Sequence, residues 1–561
     1  MPDPSDTTPR TPSSDVPASR VEFVLDGEPV AVEDDGSTLL DALRWVLGAR
    51  SVKDGCSPQG QCGCCTVLVD GTARVSCVTP LRRVAGRDVQ TFDGLNDAAR
   101  SLWTTAFLDH GASQCGFCSP GIIVRLEALR RKVVDGGEEL RPGAVERALA
   151  AHLCRCTGWQ TIEEAAAAVL GGAGEGDVDP GGGTPVSIAS RDLDAAARRA
   201  TLELGAPQRV GEEVAAGAVG FSADTAPAGS LVAVPDPDGG WALGESVPEA
   251  RRSAGKVQGR RTTVEPSPPL ELPHGEWAAT LRTSWVDAAY VETDASWCEP
   301  GGEPSPAAAN GGAFGAKRRS PVPAAARELA EAHGRPVLAL WSREDCSRSA
   351  PKRPPIAGGI RADGTGVLQV VRTEGIAERI RAAAPGLDVV EVDVAGPPTS
   401  AELRAAGWAE AVVLLAGVAA PSEVVSVATG ADGVETVRVV TDDGATAEVS
   451  VTDGGIAVSV RCGEVLDEVT VRSYCVGAAH MAFSWITSEG MAVDADGTVL
   501  DLTVRSLNVL KASDMPHVTV EVVETDGPAV RVSDAVFAAV AAATWRRLGR
   551  PPELPARIGR A

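Results

Sequence analysis

No apolar run in this chain approaches the roughly 18 residues that a membrane-spanning helix requires, so no span is expected. The opening segment MPDPSDTTPRTPSSDVPASR has no apolar stretch and reads as a polar tail, not a signal peptide. Positive charge is scarce: 52 Lys and Arg stand against 76 Asp and Glu, a formal net charge of -24. Without a basic stripe to neutralise phosphates, nucleic-acid binding is not expected, and the acidity is read as serving solubility. The six histidines, His110, His152, His274, His333, His480 and His517, are dispersed without ligand spacing and are expected on surfaces or in packing. No G-x-G-x-x-G follows a strand, and there is no repeat of solenoid length. What remains is a soluble globular composition, 44% hydrophobic and 23% charged, in 561 residues that are too many for one core.

Cysteine is the residue in excess, and it is unevenly placed. Nine of 13 fall before residue 157: Cys56, Cys62, Cys64, Cys65, Cys77, Cys115, Cys118, Cys154 and Cys156. Cys298, Cys346, Cys462 and Cys475 are scattered singly. A secreted disulfide framework is short and follows a signal, so this clustering points to metal ligation in a reducing compartment, the cytoplasm.

The local patterns suggest how these cysteines are carried. VEFVLDGEPVAVE reads as two strands around Asp26-Gly27, and the segment from Ser37 as a capped helix. TVLVDG and ARVSCV form another hairpin, so strands around one helix make a small α+β unit. Helical periodicity follows near 99–109, 120–133, 143–152 and 160–170, with Pro120 at the first position of its helix. The Gly-rich stretch 171–187 is a linker, beyond which the chain is mixed α/β. There a helix is expected at 321–333, strands at 336–341 and 446–451, and an irregular loop at 296–312.

The first group runs Cys56-x5-Cys62-x2-Cys65, with Cys77 in the next hairpin. Sulfide-bridged ferric iron takes anionic soft ligands, four thiolates per cluster, and backbone amides must temper their charge. Gly55, Gly60 and Gly63 allow such a close wrap. The plant-type spacing is C-x4-C-x2-C, so one residue is extra here. A closed zinc site is the alternative that paired thiolates also permit. Cys64 could in principle replace Cys65, but the x2 interval favours Cys65. In the second group Cys115 and Cys118 stand at the mouth of a helix, where its dipole favours negative charge. Cys154 and Cys156 cannot face one way on a helix, so they require a turn.

The segments GCSPQGQCGCCTVLVDG, QCGFCSPG and LCRCTGW resemble the iron–sulfur subunit of the xanthine dehydrogenase/aldehyde oxidase family of molybdenum hydroxylases. The departures are the inserted residue, Cys64 where a small residue is usual, and Trp159 where Tyr is commoner. The resemblance implies a β-grasp ferredoxin-like [2Fe–2S] domain at 20–95, then an all-α four-helix [2Fe–2S] domain at 96–170. A disordered tail at 1–19 precedes them and a linker at 171–188 follows. It also implies a helical-domain cluster near molybdopterin and a ferredoxin-like cluster near a flavin. Gln114 and Cys156 match positions that approach the pterin.

Further on, Asn310-Gly-Gly-Ala-Phe-Gly-Ala-Lys317 is not a Walker loop, because Ala316 precedes Lys317 and Arg318 follows it. It resembles the GGGFGGK stretch of the family's molybdenum subunit, so Gly311, Gly312, Phe314 and Gly315 become candidate molybdopterin contacts. Gly477–Ala482, Ser488-Glu489-Gly490 and Asp514-Met515-Pro516 resemble that subunit's closing segment. Residues 189–561 thus look like a shortened molybdopterin-subunit relative of mixed α/β fold. The family's Gly-x-Gly-Glu base has no match; Asp534 is the nearest carboxylate, and an acidic helix cap is its simpler reading.

The expected function is electron transfer through two [2Fe–2S] clusters within a molybdenum hydroxylase system, with FAD only on a partner. The alternatives are a self-contained hydroxylase of an aldehyde or N-heterocycle, and a non-enzymatic redox sensor or scaffold.

Overall fold

The structure, a computed structural model, describes residues 20–171, 191–255, 264–418, 420 and 422–556. The expected tail and nearly all of the expected linker lie outside these residues.

Strands β1 (Arg20–Leu25) and β2 (Glu28–Glu33) pair across Asp26-Gly27, both with positive φ, as a tight two-residue turn demands. Helix α1 (Leu39–Asp41) starts at Thr38, whose hydroxyl accepts from the Asp41 amide while Asp41 reaches back to the Thr38 amide. Strands β3 (Thr66–Val69) and β4 (Thr72–Val75) turn through Asp70-Gly71, and β5 (Asp88–Gln90) completes the sheet in the order β2-β1-β5-β3-β4. Phe23, Leu39, Leu43, Val67, Leu81 and Val89 fill its core.

Four helices follow: α2 (Asp97–Asp109), α3 (Ser119–Arg130), α4 (Ala144–Leu149) and α5 (Gln160–Val169). Helix α3 begins one residue before Pro120, with Cys118 as its N-cap. The fully buried Trp103 of α2 donates its indole N–H to Glu127 of α3 at 2.9 Å, so its polar atom is satisfied in the core. Helix α4 stops at Leu149, and Cys154 and Cys156 lie on the turn between α4 and α5, as their spacing requires.

The rest is mixed α/β; its described residues build a four-stranded and two five-stranded sheets besides a two-stranded ribbon. The expected helix and strands appear as Val322–His333, Val337–Leu340 and Thr446–Thr452. The expected loop at 296–312 is corrected at its start. Ala295–Cys298 is a strand paired antiparallel with Val337–Leu340, its Ala295 and Cys298 side chains buried, and irregular backbone begins only at Glu299. The long helix Glu468–Thr487 is buried on almost every side and packs on the helix Ser533–Arg547. One connected apolar core runs from Trp103, Ile122 and Ile162 through Val476 to Val540, so the helical unit and the carboxy-terminal body share an interior.

Candidate metal centres

The loop before β3 carries Cys56, Cys62 and Cys65 and the turn Ser76–Val78 after β4 carries Cys77, and the four are buried together. The Cys56 sulfur faces the thiols of Cys62 and Cys77, and Cys77 also faces Cys65. Backbone amides are aimed at the sulfurs: Gln61 and Cys62 donate to Cys56 Sγ at 3.4 and 3.3 Å, and Cys77 donates to Cys65 Sγ at 3.4 Å. Hydrogen bonds from the Cys62 and Cys77 thiols, aided by those amides, hold Cys56 well below the usual thiol range. Sharing a site with the Cys56 thiolate pushes Cys62 and Cys77 up. Four thiols in one dry pocket cannot all ionise without a polycation between them. All-sulfur donors met by amide N–H groups fit a [2Fe–2S] cluster.

The second group assembles across the helical unit. Cys115 and Cys156 approach with sulfurs 3.5 Å apart, and Cys118 faces Cys154. The Cys118 hydrogen bond, helped by the Thr157 hydroxyl, lowers Cys154 to about 6, while Cys118 and Cys156 are pushed up. Cys118 stands at the mouth of α3, but its hydrogen bond to Cys154 and its burial outweigh the helix dipole and keep it protonated while Cys154 ionises. The two groups are joined directly: the Leu153 amide, one residue before Cys154, donates to the Cys62 carbonyl at 3.0 Å. Gly63 is required at this junction, because it has φ +69° and a Cβ there would lie 2.2 Å from the His152 ring. Cys64, which the x2 interval sets aside in favour of Cys65, is fully buried and directs its thiol to the Cys62 carbonyl.

Sequence reasoning missed Arg155, between Cys154 and Cys156. It is buried and forms a bidentate pair with buried Glu489 at 2.6 and 2.7 Å. Arg in Cys-Arg-Cys signals a buried cation in need of a carboxylate, but nothing local names a partner 334 residues away.

The nominated molybdopterin contacts are held by protein. Gln114 donates its side-chain amide to the Ser473 hydroxyl and carbonyl at 3.0 and 3.2 Å. Asn310 ties its loop to the second group by donating to the Gln114 carbonyl at 2.8 Å. A Cβ on Gly312 would meet Cys115 Cβ and Sγ at 2.7 and 2.9 Å, so this peptide lies directly on the cysteine. The same construction places Gly311 against Leu204 and Gln208, and Gly315 against the Glu402 carbonyl. Phe314 lies beneath Arg404, 4.8 Å from its ring centre. The cavity beside Phe314, Arg155, Arg404, Met481 and Glu489 is about 30 Å³. That is room for a water or two, against the roughly 300 Å³ or more of an organic-cofactor pocket. A larger cavity of about 230 Å³ lies beyond Gly315, but Asp294, Glu374 and Glu402 line it, and neither Gln114 nor the cysteines do. A pyranopterin does not fit beside these residues.

Asp534 stands in the first turn of the helix Ser533–Arg547, whose N-cap is Val532 with no side-chain bond, so the simple cap reading is corrected. Its carboxylate faces Arg531 at 3.2 Å and Arg404 at 3.6 Å. Of the histidines, His152 and His480 are buried packing residues. Among the described residues no helix is long and apolar enough to cross a membrane.

Fold and site together define a two-cluster iron–sulfur protein. Comparison with known proteins places it further. The family model of the 2Fe-2S iron-sulfur cluster binding domain matches residues 23–88, and that of the [2Fe-2S] binding domain matches 91–167. The xanthine dehydrogenase iron-sulfur-binding subunit of Escherichia coli O157:H7 is 38% identical over 143 residues, 25% of this chain and 88% of that one. The nicotine 6-hydroxylase small subunit of Paenarthrobacter nicotinovorans is 40% identical over 159 residues, 28% of this chain and 91% of that one. The crystal structure of the aldehyde oxidoreductase from Desulfovibrio desulfuricans superposes with a TM-score of 0.69 at 16% identity, covering 96% of this chain and 99% of that one. That likeness extends the shared fold through the carboxy-terminal body. The chain belongs to the xanthine dehydrogenase/aldehyde oxidase family of molybdenum hydroxylases, as an oxidoreductase component with two [2Fe–2S]-binding domains.

Proposed function

We propose that this chain is the electron relay of a xanthine dehydrogenase-like molybdenum hydroxylase, with molybdopterin and FAD on partner chains. Cys56, Cys62, Cys65 and Cys77 hold one cluster, and Cys115, Cys118, Cys154 and Cys156 the other. A [2Fe–2S] cluster, when bound, accepts and returns a single electron. The protein's part is to exclude water, to aim amides at the sulfurs and to keep the two sites at a fixed separation. The observation that carries this reading is the Leu153–Cys62 hydrogen bond, which joins a ligand loop of one group to a ligand of the other.

The working units are 20–95, 96–170 and 189–561, separated by 171–188 and preceded by the tail 1–19. Residues 189–561 act as a shell over the second group and not as a catalytic subunit; Asp534, engaged by two guanidinium groups, serves structure. Communication with a partner's molybdopterin runs through the Gly312 peptide to the partly exposed Ala309 and Gly311. None of the 13 cysteines is paired in a disulfide, which supports a reducing cytoplasmic setting.

Metal analysis and EPR of the dithionite-reduced protein test the assignment. About four iron atoms per chain and two distinct [2Fe–2S] signals are expected from the ligand count. Cys115→Ser should remove one signal and spare the other. Zinc in place of iron sinks the relay, and stoichiometric molybdenum with a pterin sinks the shell.

A further inference from the structure

The cavity of about 230 Å³ beyond Gly315 takes no part in the relay, and its lining has a chemistry of its own. Pro321, Pro351 and Pro398 stiffen its wall, and the buried Trp341 gives it an aromatic side. The Trp341 amide donates to the Asp294 carbonyl at 2.8 Å, so ring and carboxylate spring from neighbouring backbone. Asp294 lines the same cavity and is only 1% exposed. Its Oδ2 accepts from the Tyr290 hydroxyl at 2.5 Å and faces the Cys346 thiol at 3.7 Å. Its Oδ1 accepts from no group, and the carboxylate has no ion-pair partner, among the described residues.

The buried cations of this region are committed elsewhere. Lys317 and Arg343 lie 5.4 and 5.5 Å from the Tyr290 ring centre. Lys317 pairs with Glu292 at 3.0 Å and donates to the Ala307 carbonyl at 2.8 Å. Arg343 donates to the Gly55 and Val291 carbonyls at 3.2 and 2.9 Å. At the more exposed rim the charges cancel: Glu374 pairs with Arg319, and Glu402 faces Arg318 at 3.4 Å and Arg379 at 3.6 Å. Only the buried end keeps a carboxylate without a cation, an arrangement that costs free energy until a cation meets it.

The geometry points to a binding site for a small organic cation, an alkylammonium, held between the Asp294 carboxylate and the Trp341 ring. The carboxylate supplies the counter-charge, the aromatic face attracts a cation through its quadrupole, and the proline wall keeps water from the alkyl groups. The volume suits this class, since about 150 Å³ already holds benzene. A metal ion fits poorly, because one carboxylate in so wide a cavity offers too few oxygen ligands. An anion is repelled by Asp294. The site is separate from both cysteine groups, so it and the relay stand or fall independently.

The test titrates choline, and its neutral isostere 3,3-dimethyl-1-butanol, into the full-length, cluster-loaded protein by calorimetry. Choline should bind saturably, and the isostere, which matches its shape and lacks its charge, at least about tenfold more weakly. Asp294→Asn should weaken choline about tenfold or more, and Trp341→Leu about two- to fivefold, with circular dichroism melts confirming that each variant is folded. The isostere comparison uses the unaltered protein and decides the matter even if Asp294→Asn fails to fold. Absence of a saturable choline signal up to about 10 mM overturns the site, as does equal binding of the isostere. Choline affinity that survives in folded Asp294→Asn but is lost in Glu374→Gln places the cation at the exposed rim and overturns it as well.

Discussion

Gly312 is where one missing methyl group decides how close the backbone comes to the second cysteine group. A Cβ there would stand 2.7 Å from Cys115 Cβ, and the residue has φ +79°, so Gly312→Ala is strained twice over. Overpacking of this kind costs about 1–3 kcal/mol. Thermal melts should show that loss, and EPR should show a perturbed signal for the second cluster with the first unchanged. The need for glycine here was invisible in sequence, where the loop looks like any turn ahead of a helix. The two cysteine groups stood out in sequence because the spacing within each is local. What Gly312 touches lies 197 positions earlier than itself, and no short pattern reports that.

At the scale of elements, the helix Glu468–Thr487 has two jobs. Its Gly477 lies so close to the Cys156 carbonyl that a Cβ would come within 1.9 Å, and one turn later His480 is fully buried. Burial, reinforced by the nearby Arg155 charge, lowers His480 to about 3 despite a hydrogen bond to the Leu510 carbonyl. An unfolded histidine titrates near 6.5, so the unfolded chain takes up a proton that the folded one refuses between these values. This contribution to stability is complete above pH 6.5 and falls by about 1.4 kcal/mol per pH unit as pH drops toward 3. Urea titrations at pH 7 and pH 5 should therefore differ by about 2 kcal/mol from this group alone. His480→Gln should flatten that difference.

Elements were legible in sequence to the extent that their signals were local. The Asp26-Gly27 and Asp70-Gly71 turns and the helix ahead of Gly334 are where the sequence pattern puts them. The strand Ala295–Cys298 was absorbed into a loop because Pro, Gly and Ser dominate the residues after it, while its pairing partner is some 40 residues away. The helix Ser533–Arg547 was found, but its cap was misplaced, since Asp534 turns to arginines that only the tertiary fold supplies.

For the molecule as a whole, the carboxy-terminal body is bolted to both cysteine groups. Asp224 receives Arg44 and Lys53 from the first unit, each at 2.5 Å, and Gln59 of the ligand loop bonds Glu344 and Leu502. Glu489 holds Arg155 between Cys154 and Cys156. Removing one partner of such a buried pair strands a charge and costs about 3–5 kcal/mol. Glu489→Ala should therefore release the second cluster first: iron falls from about four toward about two per chain, and only one EPR signal survives. Replacing both partners, as Arg155→Met with Glu489→Leu, should recover most of the stability in denaturant titrations.

The Gly312 peptide also sets a timetable. At roughly 5–20 residues per second, some 150 residues separate the synthesis of Cys156 from that of the loop that covers it, an interval of roughly 10–30 s. During that interval the second site is open to whatever delivers iron and sulfide, and afterwards it is roofed by the chain's own backbone. Supply of the cluster is thus a race against translation.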